Sequence, residues 1–318
     1  MINVLGIVNV FLLFLCSGIN AQNIQEVEKQ TFLYAVKEAD HLYLDKYEQK
    51  GGEDPKPCMI FLFGGGFVGG QRDDARYIPY FHYWAEKGYV VVAIDYRLGL
   101  KGIGKEENKN PDQFLPVLTE AVRMAVEDLY TATNYILSRA EEWKIDRKSI
   151  IASGSSAGAI TVLQGEYEIC NQGNAISTLP SGFNYAGIVA FAGAILGTQP
   201  DLHWQQSPVP MLLFQGDADE RVPFYKAGDE KGGFFGSDYI ARQLTKMDIP
   251  HYFCVYLNAG HEIAGVPMEE NKGEIEIFLD KLVWQKQILI INTEIFSIGK
   301  AEMKKELDLM DYINNNFE

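Results

Sequence analysis

Ser149-Ile150-Ile151-Ala152-Ser153-Gly154-Ser155-Ser156-Ala157-Gly158-Ala159 decides how this chain is read. An apolar run ends in Gly-x-Ser-x-Gly and opens into small residues that can start a helix. That is the layout of a nucleophile elbow, in which a strand turns sharply into a helix and presents a serine at the apex. The turn forces Ser156 into a strained backbone conformation. Gly154 and Gly158 flank it because side chains there would collide with the neighbouring strand and helix. The amide of Ala157, at the start of the helix, points outward and can bind a developing oxyanion. Gly-x-Ser-x-Gly also recurs by chance in loops rich in glycine and serine, so the rest of the chain has to support the reading.

Around the elbow, short apolar runs alternate with longer amphipathic segments. Residues 59–63, 90–94, 150–153, 187–191, 211–214 and 252–257 have the composition of buried strands. Segments 74–87, 115–139, 157–169, 237–247 and 269–286 have helical periodicity and lie between them. Strands regularly separated by helices form a mostly parallel sheet covered on both faces. Residues 32–36 and 41–47 are expected to form an antiparallel hairpin at its edge. In the tail, 288–318, residues 288–296 are strand-like and 301–313 helical, and packing onto the domain is the expectation.

In open parallel sheets, ligands gather beyond the carboxyl ends of the strands. Beyond the first buried strand lies Phe63-Gly64-Gly65-Gly66-Phe67-Val68-Gly69-Gly70, whose glycines let backbone amides approach one point closely. No Gly-Lys-Ser/Thr follows and no dinucleotide fingerprint is present, so phosphate binding is disfavoured. The amides of Gly65, Gly66 and Ala157 are the candidate oxyanion hole. Beyond the 211–214 strand lies Gln215-Gly216-Asp217-Ala218-Asp219-Glu220-Arg221-Val222-Pro223, where two aspartates compete to orient an imidazole. Beyond the last strand lies Asn258-Ala259-Gly260-His261-Glu262, with one of only five histidines standing in a glycine turn. Ser156, an acid from the 217–219 loop and His261 thus follow one another in the chain order Ser…Asp…His.

The combination resembles the α/β-hydrolase carboxylesterases, especially the group related to hormone-sensitive lipase and to secreted carbohydrate esterases such as acetylxylan and feruloyl esterases. Gly64-Gly65-Gly66-Phe67 is similar to that group's His-Gly-Gly-Gly-Phe/Trp motif. Asp95-Tyr96-Arg97-Leu98 resembles its Asp-Tyr-Arg-Leu segment, and Gly154-Ser155-Ser156-Ala157-Gly158 its Gly-Asp-Ser-Ala-Gly elbow. Residues 216–223 resemble Gly-x-x-Asp-x-x-Val-Pro, in which the second aspartate is the triad acid, and this implies Asp219 rather than Asp217. The resemblance covers roughly residues 55–285 and implies an α/β-hydrolase fold, with a mostly parallel eight-stranded sheet and helices on both faces. Two residues depart from the pattern: Phe63 stands where a histidine is usual, and Ser155 where an aspartate is usual. The short spacing from Ser156 to Asp219 leaves no room for a large cap.

Composition bounds the remaining choices. The 318 residues suit one large α/β domain, and 47% apolar residues supply a core. A net charge of −15 speaks against nucleic acid or an anionic membrane as a partner. The apolar run from Val4 to Leu15, followed by Ala21, has the size of a signal-peptide core and not of a membrane span. The expected organisation is a leader at 1–21 and a single domain at 22–318, secreted or periplasmic. No Lys or Arg precedes that core, and Leu15 before Cys16 disfavours a lipoprotein. Cys58, Cys170 and Cys254 read as buried thiols, and neither metal-ligand spacing nor a cofactor motif is present. The expected activity is hydrolysis of a small-molecule or glycan ester, of the short acyl or hydroxycinnamoyl kind, through Ser156, His261 and Asp219. The rival expectations are a prolyl-oligopeptidase-type peptidase and a non-catalytic module on a hydrolase scaffold.

Overall fold

The apolar runs become the middle strands of one sheet. The structure, a computed structural model, describes residues 26–102, 111–173, 178–296 and 301–317. The expected leader and much of the 99–111 loop lie outside these residues. The chain begins with β1 (Val27–Lys37), β2 (Asp40–Gln49) and β3 (Lys56–Leu62), followed by α1 (Ile78–Glu86), β4 (Val90–Ile94) and α2 (Pro111–Ser138). Next come β5 (Ile145–Ser155), α3 (Ala157–Cys170), β6 (Gly187–Phe191), β7 (Ala194–Gly197) and β8 (Met211–Gly216). The last part holds β9 (Lys226–Asp229), β10 (Gly232–Gly236), α4 (Ser237–Lys246), β11 (His251–Leu257), α5 (Pro267–Glu270), α6 (Lys272–Ile277), β12 (Ile290–Phe296) and α7 (Leu309–Phe317).

The large sheet runs β1-β2-β4-β3-β5-β6-β8-β11-β12, with β2 antiparallel to both its neighbours and every other pair parallel. It has nine strands rather than the expected eight, because the tail adds β12 in parallel to β11. β3, β4 and β6 are buried along almost their whole length, as strands covered on both faces must be. Register places the site. Leu62 pairs with Gly154, Ser155 with Phe191, Phe191 with Phe214 and Gly216 with Tyr256, so the loops after β3, β5, β6, β8 and β11 leave from one edge.

Two further expectations change, and one further sheet appears. The 269–286 helix divides into α5, α6 and a π-helical turn at Phe278–Trp284. The break falls at Asn271, which leaves helical geometry at φ −114° and ψ 34° while its side chain accepts the Tyr256 hydroxyl. In the 301–313 segment only the part from Leu309 is helical. Ahead of it, Ala301 and Met303 give backbone groups to the Asn258 side chain. The glycine-rich 226–236 segment, with no apolar alternation to announce it, forms β9 and β10, which join β7 in a separate three-stranded sheet. Among the described residues, only α3 and β6 to β8 lie between Ser156 and Asp219, and no large cap is built there. No described helix is long and apolar enough to cross a membrane. Cys58, Cys170 and Cys254 are buried and unpaired.

Candidate active site

β5 ends at Ser155 and α3 starts at Ala157, leaving Ser156 alone at the turn with φ 51° and ψ −117°. An L-residue is strained there and needs its surroundings to hold it. The Ser156 amide donates to the Phe191 carbonyl at 2.8 Å, and its own carbonyl accepts Ile160 N–H at 2.8 Å as the first helical bond. The flanking glycines are required by backbone contact. A Cβ on Gly154 would stand 2.3 Å from the Gly158 carbonyl oxygen, and one on Gly158 only 2.1 Å from that of Leu62 on β3.

Two other strand ends bring their side chains to this turn. Ser156 Oγ lies 2.9 Å from His261 Nε2, and His261 Nδ1 lies 2.9 and 3.1 Å from the two Asp219 oxygens. A carboxylate beside Nδ1 places the ring hydrogen there, which leaves Nε2 as an acceptor for the serine hydroxyl. The Asp219 side chain is wholly buried and that of His261 is 17% exposed. Burial leaves the carboxylate no water, so the protein supplies donors. Oδ1 accepts the amides of Arg221 and Val222 at 2.8 and 3.0 Å, and Oδ2 accepts Gln215 Nε2 at 2.8 Å. Gln215 is fixed in turn by Ser237 Oγ at 3.0 Å.

Asp217 does not face the imidazole. It accepts the Asn258 amide at 2.5 Å and pairs with Lys305 at 2.8 Å, tying the loop after β8 to the loop after β11. The two loops pass so closely that a Cβ on Gly216 would stand 2.2 Å from the Ala259 carbonyl oxygen.

The glycine loop lies against the same serine. A Cβ on Gly64 would be 3.1 Å from Ser156 Cβ. The Gly64 amide is already spent on the Tyr77 hydroxyl at 3.1 Å, whereas Gly65 and Gly66 follow at φ 140° and 62°, conformations suited to glycine. The Gly65 carbonyl accepts the amides of Val68 and Gly69 and closes a tight turn. Ala157 is the first residue of α3, where helical geometry gives its N–H no partner within the helix.

Phe63 stacks on Tyr96 with ring centroids 4.5 Å apart, and the Tyr96 hydroxyl donates to the Phe63 carbonyl at 2.8 Å. Aromatic packing therefore holds the start of the loop. The far end is anchored by Arg72, which reaches Asp95 at 2.7 Å and Asp45 at 3.2 Å. Burial, the largest influence on Asp95, lifts its carboxyl above the usual range even beside that guanidinium. Arg97 meets the buried Asp128 of α2 at 2.9 Å, so each of the first three residues of Asp95-Tyr96-Arg97-Leu98 holds a different neighbour. Ser155, next to the elbow serine, donates at 2.7 Å to the Ala264 carbonyl at the end of the 3₁₀ turn His261–Ala264.

Tyr77, Tyr96, Gln215, Ser237 and Asn258 were not singled out from sequence as parts of this site. Tyr96 lies in the Asp-Tyr-Arg-Leu segment without a role there, and Tyr77, Gln215, Ser237 and Asn258 have no local signature that ties them to a site. A cavity of about 460 Å³ bounded by Arg123, Glu127, Gln164 and Leu196 contains none of the site residues. Among the described residues no group of three or more His, Cys, Asp or Glu side chains could hold a metal ion.

The BD-FAE family model matches residues 44–195, which takes in the glycine loop and Ser156 and ends before Asp219 and His261. Chicken (Gallus gallus) acetylcholinesterase is 30% identical over 130 residues, 39% of this chain and 15% of that protein. Fumonisin B1 esterase of Sphingopyxis macrogoltabida is 30% identical over 129 residues, 38% of this chain and 22% of that protein. The chain thus spans less than a quarter of the length of these curated relatives. Native esterase 2 of Thermogutta terrifontis superposes with a TM-score of 0.54 at 20% identity, over 80% of this chain and 92% of that one. Its butyrate-bound form gives 0.54 at 19% identity, over 80% and 91%. That likeness shows the α/β-hydrolase fold.

Proposed function

We propose that this chain, an α/β hydrolase by fold with a BD-FAE match over residues 44–195, is a serine carboxylesterase. The observation that carries the reading is the continuous hydrogen-bonded line from Ser156 Oγ through His261 to a buried Asp219, starting at a strained strand-to-helix turn. His261 Nε2 takes the proton as Ser156 Oγ attacks the ester carbonyl. The tetrahedral oxyanion is received by the amides of Ala157, Gly65 and Gly66. Collapse returns the proton from His261 to the departing alcohol and leaves an acyl-serine. Water, activated by the same imidazole, then releases the acid. Asp219 keeps the ring hydrogen on Nδ1 and stabilises the imidazolium. Each oxyanion donor contributes about 3 kcal/mol to such a transition state.

Esters of carbohydrates with short acyl or hydroxycinnamoyl groups are the substrates we favour. The BD-FAE match supports that choice, and so does the lack of a large cap between Ser156 and Asp219 among the described residues. An exported enzyme would meet such substrates outside the cell, and the apolar run from Val4 to Leu15 supports export. Turnover of p-nitrophenyl acetate by Ser156→Ala should fall at least roughly 10⁴-fold below wild type. Comparable turnover by the two would end the esterase reading. Methyl ferulate, acetylated xylan and an aminoacyl-naphthylamide assayed side by side separate the ester classes from a peptidase.

A further inference from the structure

The segment 301–317 crosses the edge of the sheet where the site is built, and its contacts fall on both sides of Asp219. Lys305 pairs with Asp217 at 2.8 Å. Asn258, held at φ 57° three residues before His261, donates to the Ala301 carbonyl at 2.6 Å and accepts the Met303 amide at 2.7 Å. From α7, Asn315 Nδ2 donates to the Glu220 carbonyl at 2.5 Å and Asn316 Nδ2 to the Arg221 carbonyl at 3.0 Å. Asn316 Nδ2 also reaches the Tyr312 carbonyl at 2.9 Å within α7. The helix itself is docked by Tyr312, 2% exposed, whose ring lies 4.5 Å from that of Phe234.

The two asparagines meet two particular peptide groups. The Glu220 carbonyl belongs to the same planar unit as the Arg221 N–H, and the Arg221 carbonyl to the same unit as the Val222 N–H. In a trans peptide those two groups point in opposite directions across one rigid plane. Those N–H groups are the ones that Asp219 Oδ1 accepts at 2.8 and 3.0 Å. Each asparagine therefore pulls on the back of a peptide whose front holds the carboxylate. A hydrogen bond to the carbonyl fixes the plane and polarises its N–H, strengthening the bond on the far side.

We propose that Asn315 and Asn316 are positioning residues for Asp219, making the C-terminal helix part of the hydrogen-bonded line that runs Asn–peptide–Asp219–His261–Ser156. The proposal rests on the esterase reading. Asn315 and Asn316 touch backbone and not the carboxylate, so they act through the two amides. Without them the planes can rock, and Asp219 loses the fixed donors that set its angle to the imidazole.

The test is the pair Asn315→Ala/Asn316→Ala, chosen because alanine favours the helix and leaves Tyr312 in place. A misplacement of about 1 Å in a catalytic group can cost about 10²-fold, so a partial loosening should lower kcat for p-nitrophenyl acetate roughly tenfold with KM nearly unchanged. The same pair is then placed on Asp219→Asn, and the reaction of Ser156 with diisopropyl fluorophosphate is timed in both backgrounds, because slow rates stay measurable. Groups that act as one unit are strongly non-additive, so the alanines should change the Asp219→Asn rate by less than about twofold. An equal loss in both backgrounds, or no loss in the first, overturns the proposal. If Ser156→Ala is inactive while the alanine pair is fully active, the tail role alone fails. Retained turnover by Ser156→Ala removes the esterase reading and this proposal with it.

Discussion

Ser156 sits at φ 51° and ψ −117° because its neighbours leave no other course for the chain. The Gly158 Cα rests against the Leu62 carbonyl, and a methyl group there would come within 2.1 Å of the oxygen. Strand β3 and helix α3 would have to part, so Gly158→Ala should lose about 3 kcal/mol or more of stability, read as a lower urea midpoint. Ser155 teaches a different lesson. Standing where the related motif has an aspartate, it ties the turn that carries His261 to the elbow through the Ala264 carbonyl. Ser155→Ala should cost about 1 kcal/mol, a fall of a few degrees at most in the thermal midpoint. Its kcat on p-nitrophenyl acetate should fall severalfold, because the His261 turn loses its tie to the elbow. Its place beside Ser156 was legible in the motif. Its partner 109 residues away was not.

Among the elements, α3 carries a second constraint beyond presenting its first amide. Glu166 is fully buried on it, with Oε1 accepting from Cys170, Asn184 and the Val209 amide. Burial, the dominant cause, raises its carboxyl from the ordinary 4.5 to about 7. Between those values the folded state keeps a proton that the unfolded chain has released. The associated stability is therefore complete below about pH 4.5, declines as the pH rises, and is gone above about pH 7. Glu166→Gln should remove that slope, and the wild type should lose on the order of 3 kcal/mol relative to the variant across the interval. Urea unfolding of both proteins from pH 4.5 to 8 checks it, and parallel curves would disprove it. The other elements divide by how their residues are partnered. β3, β4 and β6 could be read from their apolar runs because burial on both faces needs nothing else. β9 and β10 could not, since Gly232 and Gly233 sit at φ 113° and 148° and give no side-chain pattern.

Over the whole molecule, the tail converts an eight-strand expectation into a nine-stranded sheet and then returns to the acid and histidine loops. Tyr312 holds that return in place, packed between Phe234 and Phe114. Tyr312→Ala should destabilise the protein by about 3 kcal/mol in urea. It should also lower kcat at least as far as the paired asparagine substitution, because the asparagines leave with the helix. Unchanged turnover would separate the tail from the site. The fold class, the elbow with its two glycines and the three strand-end loops were all written in short stretches of chain, because burial pattern and backbone crowding act over a few residues. The family resemblance points to Asp219, whereas the turn of Asp217 to Lys305 and the aromatic support of the glycine loop came from the packed molecule. So did the reach of Asn315 and Asn316 across 95 residues to the acid loop. Hydrogen bonds and ring contacts between distant segments depend on where the sheet delivers them, and no local period records that.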